Sequence, residues 1–147
     1  MNKHKFVIST LLSAALFELL IIAVSISPFA GRGNANYWGG RGIIYSLIMV
    51  ALMYIIPLIL YGVNIKGMKY LLAFEIAIFT IGTGVIYIVV CPFGYVGVVA
   101  MIMDNIRNNM ELTNCICNIV IKIICLLEII CNIIWYIINF SKRNRKG

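Results

Sequence analysis

The sequence predicts an all-α membrane protein: a four-helix transmembrane bundle with both termini cytoplasmic and a short re-entrant or interfacial segment at 93–103. Three observations carry this. Of 147 residues, 63% are hydrophobic and 12% charged, whereas soluble domains run near about 50% apolar and about 25% charged. Mean hydropathy is +1.02, too high for a water-soluble globule of this length. Most of the basic residues gather in short segments that flank apolar runs, the pattern that orients membrane spans. The whole chain, 1–147, therefore reads as one polytopic membrane domain with spans near 6–27, 42–63, 71–91 and 115–140.

The chain opens on a basic leader, Met-Asn-Lys-His-Lys. The apolar run 6–27 that follows is longer than a signal-peptide core and lacks a small-residue cleavage site, so it reads as a retained first span. Residues 28–41 form an outer loop rich in glycine, with Tyr37 and Trp38 suited to the headgroup layer. The second span, 42–63, contains Pro57, which should kink it by removing a backbone donor. Asn64 to Tyr70, with Lys66 and Lys69, is a tight basic turn. The third span, 71–91, carries Gly82-Thr83-Gly84, small residues that favour close packing by a neighbouring helix. Residues 93–103 are apolar but too few to cross a bilayer, which takes about 20. A polar outer loop with Asp104, Arg107 and Glu111 leads to the fourth span, 115–140, and to the basic tail Ser-Lys-Arg-Asn-Arg-Lys-Gly.

Charge then orients the bundle. Lys3, Lys5, Lys66, Lys69, Lys142, Arg143, Arg145 and Lys146 fall on the side of the termini; the outer loops hold only Arg32, Arg41 and Arg107. The positive-inside rule places the first set in the cytoplasm of a cell bounded by a plasma membrane. The same clustering accounts for the net charge of +7 without a nucleic-acid partner. Heavy use of Ile, Asn and Lys suits an AT-rich bacterial genome.

Four ionisable residues lie inside spans: Glu18, Glu75, Lys122 and Glu128. Unpaired, each costs about 2.5–3.5 kcal/mol at a helix centre, so such groups turn inward and pair. Depths counted at about 1.5 Å per residue put Glu18 and Lys122 at nearly the same level. They are expected to form an intramembrane ion pair, or a proton or ligand site. Glu75 and Glu128 form a second pair of carboxylates toward the cytoplasmic half, offset by about 9 Å. The fourth span also carries a polar seam: Asn118, Lys122, Cys125, Ile129, Asn132, Tyr136 and Asn139 follow at steps of four and three, with Glu128 at the edge. That is the 3.5-residue period of left-handed helix packing, so this face should meet the other helices.

The five cysteines, Cys91, Cys115, Cys117, Cys125 and Cys131, are odd in number and lack zinc-like spacing. Cys125 and Cys131 read as packing residues. Cys91 and either Cys115 or Cys117 fall near one membrane face, which allows a disulfide there.

No nucleophile elbow, phosphate loop or dinucleotide fingerprint occurs, and the sole histidine, His4, lies in the leader. No enzyme activity, metal or cofactor is expected. The stretch Ala14-Ala15-Leu16-Phe17-Glu18 resembles the first span of the small multidrug resistance transporters, whose glutamate there binds substrate and proton. That resemblance implies a small proton-coupled secondary transporter using Glu18. The chain departs from it in length, in its basic bias, and in placing a lysine near the glutamate's depth. The reading preferred on the residues is a small integral membrane interaction protein acting without catalysis. It would be an accessory subunit of a membrane assembly, or an immunity-type protein against a membrane-active toxin. A holin-like pore-former is a third reading. The expected partners are the lipid bilayer and a membrane protein or a second copy in a homo-oligomer.

Overall fold

The computed structural model describes residues 3–27, 30, 37–90 and 112–140. Four helices account for nearly all of them: α1 Lys3–Ile26, α2 Arg41–Gly62, α3 Met68–Val90 and α4 Leu112–Phe140. Each is long and apolar enough to cross a membrane, and no strand occurs among the described residues. The protein is a four-helix transmembrane bundle. The segment 93–103, expected to be re-entrant or interfacial, lies outside the described residues.

The helices outrun the apolar segments by three residues at three N-termini: α1 begins at Lys3 inside the basic leader, α3 at Met68 inside the stretch expected to be a turn, and α4 at Leu112. The 29 residues of α4 extend about 43 Å, beyond a hydrocarbon core of about 30 Å. A backbone that has paid for helix nucleation gains one hydrogen bond per added residue, so it has no reason to stop where the lipid does.

α1 packs against α2 and α4, and α3 packs against α2 and α4, so the helices stand in a ring in chain order with α4 closing on α1. The turn between α2 and α3 is specified locally. Asn64 takes φ 66° and Gly67 φ 94°. Asn64 N–H donates to the Tyr61 carbonyl and Ile65 N–H to the Leu60 carbonyl, both at 3.0 Å. This pair of bonds closes a helix C-terminus around a left-handed residue, which asparagine tolerates better than other side chains. Lys3 Nζ donates to Asn64 Oδ1 at 2.6 Å, and Lys69 Nζ donates to the Asn139 carbonyl at 2.5 Å. The start of α1, the α2–α3 turn and the end of α4 therefore share one end of the bundle, the basic one.

Aromatic rings fill the centre. Phe6 lies 4.2 Å from Tyr61 and 5.5 Å from Trp135 between centroids. Phe79 lies 4.5 Å from Phe17 and 5.2 Å from Tyr54. Such contacts matter more in lipid than in water, because the surrounding tails are as apolar as leucine and association must come from packing and hydrogen bonds. Outward positions are taken by Ile8, Leu12, Ile48, Leu52, Phe74, Ile81, Ile123 and Ile130.

α2 runs as one helix through Pro57, whose ring is buried; one local expectation changes. On α3, Thr83 faces the core, while a Cβ added at Gly82 or Gly84 would meet nothing within 4 Å. The two glycines flank the contact and do not make it. The close approach they were expected to permit is absent among the described residues.

Candidate functional site: a polar network across four helices

The polar seam of α4 exists, but it is turned. The buried residues of α4 are Ile121, Ile124, Cys125, Glu128, Asn132, Trp135 and Asn139. Cys125, Asn132 and Asn139 belong to the seam foreseen from the sequence. Ile121, Glu128 and Trp135 replace Lys122, Ile129 and Tyr136, each one residue earlier. The inward face is therefore rotated by about 60°, at 100° per residue. Glu128, expected at the edge, is central and 0% exposed, with Asn132 at 1%.

α1 and α3 send side chains to this pair, and α2 joins through Ser13. From α1, Ser13 Oγ donates to Asn132 Oδ1 at 2.6 Å. From α2, the Tyr54 hydroxyl lies 3.2 Å from Ser13 Oγ. From α3, Thr80 Oγ1 accepts from Asn132 Nδ2 at 2.8 Å, and the Thr83 hydroxyl bonds to Glu128 Oε2. Within α4, Asn132 Nδ2 donates to Glu128 Oε1 at 3.3 Å. One turn away, Trp135 Nε1 donates to Thr10 Oγ1 at 2.8 Å, and the Tyr136 hydroxyl donates to the Ala73 carbonyl. Interhelical hydrogen bonds in membranes average about 0.6 kcal/mol and reach about 1.7. A connected set of them on every helix fixes which faces meet.

Glu18 and Lys122 are not brought together. Trp135 meets Thr10, and Asn132 meets Ser13, so three residues up α1 match three residues back along α4. Continued, this register puts Glu18 level with Leu127 and Lys122 level with Ala23, a separation of about 7 Å along the axis. Both also miss the inward face, which Phe17 and Ile121 occupy beside them. Each is half-buried on a flank, and no ion pair joins them among the described residues. The depth count failed because it measured each helix from its own assumed end, while side-chain contacts set the register.

The second pair of carboxylates does not meet either. Glu75 is buried, and its Oε2 has no hydrogen-bond partner. The α3–α4 contacts place it near the level of Trp135, about 10 Å from Glu128 toward the basic end. Of the remaining seam residues, Asn118 has a buried Oδ1 without a partner. Asn139 Nδ2 donates to the Trp135 carbonyl at 2.8 Å. Cys117, Cys125 and Cys131 are free thiols. Cys91 lies outside the described residues, as does the side chain of Cys115, so a disulfide between those two falls outside them as well. No group of three His, Cys, Asp or Glu able to hold a metal occurs among the described residues.

The sequence reading missed Thr10, Ser13, Tyr54 and Thr80, and noticed Thr83 only for its flanking glycines. A signal was present. Thr10 with Ser13, and Thr80 with Thr83, are hydroxyl pairs three residues apart inside apolar spans, a spacing that puts both on one helix face. Tyr54 carries no such signal.

The chain is 36% identical over 73 residues to the uncharacterized protein YxaJ of Bacillus subtilis (strain 168), a match covering 49% of this chain and 52% of the relative. The chain thus spans about half the length of the curated relative it matches. No solved structure matches it. A family model matches residues 1–144, and the chain belongs to that family, the family of unknown function DUF5391.

Proposed function

We propose that the protein is a non-catalytic interaction protein of the plasma membrane. It serves as an accessory subunit of a membrane assembly or as an immunity-type protein that blocks a membrane-active toxin. The observation that carries this reading is that the polar core bonds to itself. Ser13, Tyr54, Thr80, Thr83, Glu128 and Asn132 use their hydrogen bonds on one another and on their own helices. What is left for other molecules is the outward apolar surface and the two ends.

Photo-crosslinking in native membranes tests it. A crosslinking residue placed at Ile8, Ile48, Ile81 or Ile130, one per helix and all outward, should give a discrete protein adduct from some helices and not others. Adducts to lipid alone from all four positions, with proton-driven flux in vesicles, would reject it.

A second reading is proton-coupled transport. The buried, unpartnered Oε2 of Glu75 beside the Glu128 network favours it, because intramembrane carboxyls without a cation mark proton sites. In this reading the working carboxyls are Glu128 and Glu75. Glu18, on the flank, is not among them.

We also propose that the basic end faces the cytoplasm, on the strength of the Lys3, Lys66 and Lys69 cluster there. Impermeant thiol reagents applied to intact cells should label Trp38→Cys and leave Asn64→Cys untouched. The opposite pattern would invert the topology.

A further inference from the structure

We propose that Glu128 is a proton-binding site, held as the neutral acid inside a network to which every helix contributes. The reason is a count of protons. A serine, threonine or tyrosine hydroxyl carries one, and an asparagine amide carries two. The Ser13 proton goes to Asn132 Oδ1, so the bond at 3.2 Å between Ser13 and Tyr54 must use the tyrosine proton. The two amide protons of Asn132 go to Thr80 Oγ1 and Glu128 Oε1. The Thr80 proton goes to the Ile76 carbonyl at 2.7 Å.

Thr83 breaks the count if Glu128 is ionised. Its oxygen lies 3.0 Å from the Phe79 carbonyl and also bonds to Glu128 Oε2. Both of those would be acceptors, with one hydroxyl proton between them. A proton on Oε2 resolves this: the acid donates to Thr83, Thr83 donates to the Phe79 carbonyl, and Oε1 still accepts from Asn132. Turning the Asn132 amide over leaves the requirement in place. Its oxygen would then face Glu128 Oε1, and a hydrogen bond there again needs a carboxyl proton.

The surroundings agree. Cys125 and Cys131 stand three residues to either side of Glu128 on α4, Tyr54 of α2 reaches it through Ser13 and Asn132, and Glu75 of α3 lies about 10 Å toward the basic end. α1 presents the uncharged Ser13. Its Glu18 and the Lys122 of α4 sit on flanks, off the inward face. No cation pairs with Glu128 among the described residues. A carboxylate there would be a buried charge served by neutral donors alone, the arrangement low-dielectric interiors disfavour most.

Infrared spectroscopy of the protein in lipid vesicles at neutral pH tests this. The carbonyl stretch of a protonated carboxyl is resolved from carboxylate and amide bands. It should be present, lose one carboxyl's intensity in Glu128→Gln, and shift to higher frequency in Thr83→Val, where the acid loses its acceptor. Absence of the band, or a spectrum unchanged in Glu128→Gln, overturns the proposal. If Glu128→Gln does not fold, Thr83→Val decides, and an unshifted band overturns it. Crosslinking and flux decide between the interaction and transport readings, whereas the infrared band reports only the proton on Glu128, so the two can fail separately.

Discussion

Replacing Asn132 with alanine should destabilise the bundle by about 2–4 kcal/mol, among the largest effects of any single polar substitution. Among the described residues, Asn132 is the one side chain that bonds to α1, to α3 and within α4. Its loss strips Ser13 of its acceptor and removes the donor to Thr80 and to Glu128. Leaving a buried polar group unpaired costs about 1–3 kcal/mol. Relaxation in the membrane, where the unfolded helices also find partners, keeps the total below the simple sum. The measurement is the midpoint of unfolding as a denaturing detergent is added to mixed micelles. Asn118→Ala is the control on the same helix. Its Oδ1 already lacks a partner, so that variant should stay within about 0.5 kcal/mol of the parent. Equal shifts for the two would mean that the network does not hold the helices.

Trp135→Ala should cost about 3 kcal/mol or more by the same measurement. The indole is 0% exposed and packs on Phe6 at 5.5 Å, Tyr136 at 5.2 Å and Phe140 at 6.0 Å between centroids. Truncating a buried large aromatic to alanine costs about 3–5 kcal/mol in water-soluble cores. In lipid the transfer part of that cost falls away, but the lost dispersion contacts remain. Trp135→Phe separates ring from donor. It keeps most of the packing and loses only the bond to Thr10, so it should cost about 1 kcal/mol. A large loss in Trp135→Phe would make the hydrogen bond, not the ring, the dominant contribution.

The helices were legible because the signal that makes them is local. A bilayer offers no partner for backbone groups, so an apolar run of sufficient length must satisfy its own, and helix is the single-chain way to do so. The observed helices α1 to α4 contain or closely match the spans foreseen near 6–27, 42–63, 71–91 and 115–140. The period of the seam on α4 was legible for the same reason, since side-chain spacing along a helix is fixed by its geometry.

The azimuth of that seam was not legible. Lys122 and Ile121 are neighbours, as are Tyr136 and Trp135, and a polar-residue count favours the first of each pair. The bundle buries the second. An indole can give up both surface and its N–H to Thr10, whereas Lys122 keeps its ammonium cheaper on the flank.

What the sequence by itself determined is the membrane class, the four spans, the clustering of charge at one end and the 3.5-residue repeat of α4. All of these follow from hydropathy, length and helix geometry within single segments. Only the tertiary structure decided that Glu18 and Lys122 stand apart, that Glu128 rather than Lys122 is central, and that Ser13, Tyr54, Thr80 and Thr83 join Glu128 and Asn132 in one network. The physical reason is that register and rotation between helices are set by the packing of Phe6, Phe17, Phe79 and Trp135 against one another. A rotation of about 60° and an axial offset of about 7 Å replace the expected ion pair with a buried network closed by uncharged donors.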